Sequence, residues 1–306
     1  MKKILVATVK PFAGAAIEKI KSVFEKEGYS VSFFEKYESQ DDLKKAVADV
    51  EALIIRSDKI TKEIIDAAPH LKIVVRAGAG YDNVDLAAAS NHDIVVENTP
   101  GQNSNAVAEL VLGMMVFQAR NHFNGKPGTE LKGKKLGIQA YGHVGKNVAR
   151  VAKGFGMEVF AYDPFVPKEV MEDDGVTVFD NLEEMYRTCE YISLHIPANE
   201  HTIKSINFDL MSKMKIGATL VNTARKEIID EEGLMKMFRE RSDFTYLSDI
   251  KPDNHEAIEE EFGDRCFFTP KKMGAQTAEA NINAGVAAAK QIIAFFENGD
   301  KKFQVN

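Results

Sequence analysis

Long hydrophobic runs are missing from this chain: no apolar stretch approaches the ~20 residues that a membrane helix needs. Cysteine is nearly absent, with only Cys189 and Cys266. Two cysteines cannot build a disulfide framework or a cysteine metal site, and such scarcity points to a reducing, cytoplasmic compartment. No block of basic residues occurs, and the net charge is −7. That argues against nucleic acid or an anionic membrane as a partner, and an anionic small substrate would need locally placed arginines. Internal repeats and low-complexity segments are lacking too. What remains, 306 residues with 44% hydrophobic and 28% charged, is the composition of a globular protein of about two domains. Met1-Lys2-Lys3 before Ile4 to Val9 has the outline of a signal peptide. The apolar run is too short and Lys10-Pro11 closes it, so it reads as a first strand.

Residues 1–97 alternate short apolar runs with amphipathic patterns. The expected strands are Ile4–Thr8, Val31–Phe34, Ala52–Ile55, Ile73–Val75 and Ile94–Val96, with helical spacing at Ile17, Ile20, Val23 and Phe24 between them. Such alternation predicts a parallel sheet with helices on both faces. Asn98-Thr99-Pro100-Gly101 breaks the chain before a long apolar helix from Asn103 to Arg120. More βα alternation follows through Ile192–Ile196, Thr219–Asn222 and Tyr246–Ile250. A last helix spans Ala278 to Asn298, with Gly299 as its stop signal. The tail helix is expected to return to the first domain, giving two α/β domains joined by two long helices.

Residues 135–163 carry the sharpest motif. An apolar run (Leu136 to Ile138) meets a glycine turn (Ala140, Gly142, Gly145), then a helix, then a second run from Met157 that ends on Asp163. An acid 18 residues after the last glycine closes a dinucleotide-binding unit. Gly142 would let the backbone approach a pyrophosphate, Gly145 would let helix and strand pack closely, and the helix N-terminus would face the phosphates. Asp163 would accept from both ribose hydroxyls and repel a 2′-phosphate, favouring NAD over NADP. The usual first glycine is Ala140, which fits the turn only with a negative φ and otherwise costs on the order of 1 kcal/mol. An ordinary βαβ unit would show the same spacing.

Two arginines stand at successive strand ends. Arg56-Ser57 follows one strand, and Arg76 follows the next, beside the small residues Ala77-Gly78-Ala79-Gly80 whose amides can cradle a carboxylate. Adjacent parallel strands would put both arginines on one rim facing a crevice, where they could bind a substrate anion or merely pair at the surface. Arg225, after Val221-Asn222-Thr223-Ala224, could hold a carboxylate in fork geometry and polarise an adjacent carbonyl.

Arg76–Asp85, Asn103–Glu109, the glycine unit, His195-Ile196-Pro197, Asn222–Glu231 and Thr269-Pro270 together resemble the D-2-hydroxyacid dehydrogenase family, over nearly the whole chain and in the right order. Within it the pattern is most similar to short members that act on 3-phosphoglycerate. The resemblance implies a doubly wound Rossmann-type nucleotide domain (99–276) inserted in a doubly wound, flavodoxin-like substrate domain (1–98, completed by 277–306). With the chain closing after the returning helix, no appended regulatory domain is expected. Arg225 would be the catalytic arginine. Ala79 and Gly80 would give amides to the substrate carboxylate, with Arg56, Ser57 and Arg76 near its phosphate. His143 and Val144 amides would meet the NAD pyrophosphate, and Asp163 the ribose. Ile196, Pro197 and Thr202 would line the cofactor, and Thr223, Ala224 and Asp249 would flank the nicotinamide.

The departures concern the acid–base. The family's Thr-Pro-His is here Thr269-Pro270-Lys271-Lys272, and no clear glutamate follows Asp249. Loss of both dyad members together predicts a replaced device: Lys271 as base, or Lys272, since this loop is one residue longer than the family pattern. A lysine's ordinary pKa of ~10.4 is high for this role, so burial and the Arg225 cation are expected to lower it. A lysine here could instead bind the substrate phosphate. His195 reads as cofactor lining. The expected reaction is NAD-dependent oxidation of 3-phosphoglycerate to 3-phosphohydroxypyruvate. Reduction of hydroxypyruvate or glyoxylate, and a non-catalytic NAD-sensing scaffold, are the alternatives. The all-round apolar helix from Asn103 predicts a homodimer.

Overall fold

The computed structural model describes residues 2–306. The chain divides into two compact units, residues 1–103 with 276–306, and residues 104–275. The first unit holds strands β1 (Lys3–Thr8), β2 (Ser30–Glu35), β3 (Ala52–Ile55), β4 (Ile73–Arg76) and β5 (Val95–Asn98). Helices α1 (Gly14–Lys26), α2 (Gln40–Val47), α3 (Lys62–Asp66) and α4 (Leu86–Asn91) connect them. All neighbours pair in parallel, in the order β2-β1-β3-β4-β5. This is the flavodoxin-like order, whose direction of growth reverses between β1 and β3. The strands alternate between two cores: Leu5, Leu53, Ile55 and Val74 on one face, and Ile4, Ile54, Ile73 and Val75 on the other. Burial on both faces explains why these strands read as unbroken apolar runs.

The second unit opens with α5 (Ser104–Ala119) and continues β6 (Lys135–Gln139), α6 (His143–Gly154), β7 (Glu158–Tyr162), α7 (Lys168–Asp173), β8 (Thr177–Val178), α8 (Leu182–Thr188) and β9 (Tyr191–Leu194). It ends with α9 (Phe208–Met211), β10 (Thr219–Asn222), α10 (Glu231–Glu240), β11 (Thr245–Ser248), α11 (His255–Phe262) and β12 (Cys266–Phe268). Its parallel sheet has the order β12-β11-β10-β9-β6-β7-β8, the Rossmann arrangement with its reversal between β6 and β9. Both sheets are therefore doubly wound, as expected.

The chain then returns to the first unit as α12 (Ala278–Asn298). Thr277 caps its start by accepting from Ala280 N–H, and Gly299 ends it at φ 67°. Gly285 lets α12 lie tightly on α1, because a Cβ there would come within 2.6 Å of Ile20. No helix of the described residues is long and apolar enough to cross a membrane.

Two strands escaped the sequence reading, β8 and β12. Both are two or three residues long and sit at the sheet edges, too short to show a period of two.

Candidate active site

The glycine turn in the second unit is tied to the end of β7. Ala140 N–H donates to the Tyr162 carbonyl at 3.0 Å, and Tyr141 N–H donates to Asp163 Oδ2 at 2.7 Å. Under these ties Ala140 takes φ 76°, the strained alternative to the negative φ that alanine tolerates. The strand-to-helix turn demands a left-handed residue, and the two hydrogen bonds hold alanine there against its preference. A Cβ on Gly145 would lie 2.3 Å from the Ala140 carbonyl oxygen, which is why glycine stands at 145.

A Cβ on Gly142, by contrast, would meet nothing within 4 Å, and α6 begins after it with no side-chain cap. Open space thus adjoins a helix start whose first amides lack internal partners, among them those of His143 and Val144. Asp163 also accepts from Phe165 N–H at 2.8 Å, so two backbone amides aim its carboxylate and leave acceptor capacity for ribose hydroxyls. The residues present fit a dinucleotide.

Beyond β9, on the other side of the sheet's reversal, Thr202 closes the 197–202 loop. Its hydroxyl donates to the Pro197 carbonyl at 2.6 Å and accepts from Asn199 N–H at 2.8 Å. Ile196 is half-buried and Pro197 exposed. His195 sits 2.9 Å from the Ser193 hydroxyl through Nε2, and burial pushes its imidazole down to about 3. A ring kept neutral in this way carries no charge at neutral pH.

At the end of β10 the fully buried Asn222 shapes the turn that carries Arg225. Its Nδ2 donates to the Arg225 carbonyl at 2.9 Å, and its Oδ1 accepts from Ala224 N–H at 2.9 Å. Asn222 was not singled out from the sequence; the signal was a lone amide closing an apolar strand. The half-buried Arg225 donates from Nη1 to the Ala224 carbonyl at 2.9 Å. The Thr223 hydroxyl is buried with no partner among the described residues, an orphaned polar atom beside the expected nicotinamide.

Asp249 directly follows β11 and is 1% exposed. Oδ1 accepts from the Thr269 hydroxyl and from Met273 N–H, both at 2.8 Å, and Oδ2 accepts from Gly274 N–H at 2.8 Å. Lys271 and Lys272 lie between these donors, and both are exposed. The burial expected of the base is therefore not found. The chain leaves β12 at Phe268 and turns outward through the exposed Pro270 before Asp249 draws it back.

In the first unit Arg56 follows β3, at the reversal of that sheet. Its Nη1 donates to the carbonyls of Lys10 (2.9 Å) and Pro11 (3.0 Å), its Nη2 donates to Asn281 Oδ1, and the guanidinium stands 5.0 Å over the Phe12 ring. Burial lowers its pKa, and the carboxylates of Asp58 and Glu35 oppose that fall. Much of this fork is thus occupied in stitching β1, β3 and α12 together. Ser57 beside it is exposed.

Arg76 donates from Nε to the Arg56 carbonyl at 3.0 Å and lies across Gly78, where a Cβ would come within 1.6 Å of its Nη1. Gly78 has φ 149°, a conformation for glycine alone. Next to it, the amides of Ala79 and Gly80 donate to nothing among the described residues. The two arginines and these amides thus stand together at the carboxyl ends of β3 and β4, donors of the kind an anion needs.

Comparison with known proteins agrees with this geometry. Residues 108–270 match the family described as D-isomer specific 2-hydroxyacid dehydrogenase, NAD binding domain. A D-3-phosphoglycerate dehydrogenase of Methanocaldococcus jannaschii is 35% identical over 272 residues, 83% of this chain and 51% of that protein. A hydroxypyruvate reductase of Thermotoga maritima is 36% identical over 274 residues, 83% of this chain and 87% of that protein. The chain thus spans about half the length of the first of these relatives and most of the second. Among solved structures, NAD+-bound 3-phosphoglycerate dehydrogenase of Entamoeba histolytica superimposes with a TM-score of 0.89 at 48% identity, covering 100% of this chain and 98% of that one. With more than half of its residues matched and the dinucleotide turn intact, the chain belongs to the D-isomer-specific 2-hydroxyacid dehydrogenase family and carries that family's NAD-binding domain.

Proposed function

We propose that this protein is a phosphoglycerate dehydrogenase, oxidising 3-phosphoglycerate to 3-phosphohydroxypyruvate with NAD, the entry step of serine biosynthesis. What supports this most is the likeness to the 3-phosphoglycerate dehydrogenase of Entamoeba histolytica at 48% identity over nearly the full length of both chains. When bound, NAD supplies the carbon that accepts a hydride from C2 of the substrate. Gly142, His143, Val144, Gly145 and Asp163 would hold its diphosphate and ribose. Ile196, Pro197, Thr202, Thr223, Ala224 and Asp249 would surround the rest.

On this reading the nest of Ala79 and Gly80 takes the substrate carboxylate, and Arg56, Ser57 and Arg76 take the phosphate. Arg225 steadies the oxygen on C2 as it becomes a carbonyl. Lys271, or its neighbour Lys272, removes the hydroxyl proton. An amine that must be unprotonated to act gives an oxidation rate that rises toward alkaline pH.

The test is absorbance of reduced nicotinamide with NAD and 3-phosphoglycerate, with the keto product continuously removed. Turnover that falls about 100-fold in Lys271→Ala or in Lys272→Ala identifies the base. Near-normal turnover in both ends the lysine assignment. The Thermotoga relative favours a second reading, reduction of hydroxypyruvate or glyoxylate. It would be preferred if those acids consume reduced NAD while 3-phosphoglycerate yields none.

The assembly proposed is a homodimer through α5. Val111, Met114 and Met115 of that helix are buried, whereas Val107, Leu110 and Phe117 remain partly exposed. Light scattering of the eluted protein reads its mass directly. A cytoplasmic location is proposed on the two cysteines, both buried and unpaired.

A further inference from the structure

The segment that carries the two lysines has no regular structure of its own, yet both of its ends converge on one side chain. Thr269 precedes Lys271, Met273 and Gly274 follow Lys272, and all three donate to the carboxylate of Asp249. The Thr269 hydroxyl also stands 2.9 Å from the Lys271 carbonyl and 3.0 Å from the Asp249 carbonyl, so it lies at the centre of the arrangement. With Asp249 at 1% and Thr269 at 2% exposure, water does not compete for these bonds.

The approach at the far end is tight. A Cβ on residue 274 would come 3.0 Å from Asp249 Oδ2 and 3.3 Å from Val107 Cγ2, so a side chain there would crowd the carboxylate. An ionised carboxylate is an acceptor only, which suits three converging donors. An amide in its place would turn an N–H toward one of them.

We propose that Asp249 and Thr269 form a clasp that positions the lysine segment, so that Asp249 is a positioning residue for the proton-transferring amine. This rests on the reading above that Lys271 or Lys272 is the base. Where an imidazole is oriented by a carboxylate bonded to its ring, an amine on a flexible stem has no ring to orient. Here the carboxylate fixes the backbone from which the stem departs.

The experiment measures amide hydrogen exchange across residues 266–276 in the full chain without cofactor, together with steady-state kinetics over a range of pH. Thr269→Val removes the hydroxyl at nearly constant volume, Thr269→Ser restores it, and Asp249→Asn weakens the acceptor. In Thr269→Val and Asp249→Asn the Met273 and Gly274 amides are expected to exchange about tenfold faster or more, while β10 and β11 keep their protection. Thr269→Val should lower kcat about tenfold and displace its pH profile with little change in the KM for NAD, and Thr269→Ser should return both.

Unchanged exchange at 273 and 274 in Thr269→Val overturns the clasp. Faster exchange with kcat and its pH profile at wild-type values overturns the positioning role. Failure of the base assignment is separate, because it is read from Lys271→Ala and Lys272→Ala and leaves the exchange result standing. If Asp249→Asn does not fold, the two threonine variants carry the test alone.

Discussion

Ala140 at φ 76° is the clearest strain in the cofactor turn. Sequence alone showed that an alanine had replaced a glycine. It could not show which sign φ would take, because that follows from bonds to Tyr162 and Asp163, more than 20 residues downstream. Ala140→Gly should raise the free energy of unfolding by about 1 kcal/mol in urea titration, with the NAD site unchanged. Gly78 is the opposite case, a glycine in use. Ala at 78 would collide with the Arg76 guanidinium, so under the proposed function Gly78→Ala should raise the KM for 3-phosphoglycerate about tenfold or more. The affinity for NAD, read by cofactor titration, should stay within about twofold of wild type, since no anchor of the nucleotide turn is touched.

Among the elements, α12 was the most legible, its span from Ala278 to Asn298 and its stop at Gly299 both matching the structure. A cap at one end and an αL glycine at the other are local signals. The residues after it were not legible. Gln304 bridges Glu97 antiparallel, Val305 N–H donates to the Val96 carbonyl at 2.9 Å, and Asn306 Oδ1 accepts from Val96 N–H at 2.8 Å. The tail thereby covers β5, an edge strand, and leaves Glu97 at 1% exposure. Burial pushes the Glu97 carboxyl up to about 7, with Asp300 adding to the rise and a backbone bond from Phe303 opposing it. Lys290 and Asp300 line the same small cavity.

A carboxyl whose pKa is raised on folding favours the protonated fold. Its contribution is complete below the ordinary carboxylate range and is lost as pH rises through about 7. β5 and the tail should therefore exchange amides faster, relative to intrinsic rates, at pH ~8.5 than at pH ~5.5, and Glu97→Gln should flatten that dependence. Equal slopes in wild type and variant would remove Glu97 as the cause.

For the chain as a whole, two titrating groups, Glu97 in the first unit and His195 in the second, respond to pH with opposite signs. His195 in the second unit is held neutral, its pKa lowered from an ordinary 6.5 to about 3. Its unfolded form takes up a proton first, so the His195 contribution to stability is lost as pH falls from 6.5 toward 3. Amide exchange across pH should show the backbone around Glu97 loosening on the alkaline side and that around His195 loosening on the acid side. A common direction for both would contradict this assignment.

The order of residues was enough for the alternation of strands and helices, for two parallel sheets, and for the nucleotide turn with Asp163 at its end. These follow from periodicity, glycine and capping, which act over a few residues. Only packing decided that Ala140 would be left-handed, that Lys271 and Lys272 would be exposed, and that Asp249 would grip their segment from a strand 20 to 25 residues earlier. The same holds for Glu97, buried by a tail some 200 residues away. Hydrogen bonding and desolvation between residues far apart in the chain leave no local pattern to read, and they set both the strain and the proton affinities.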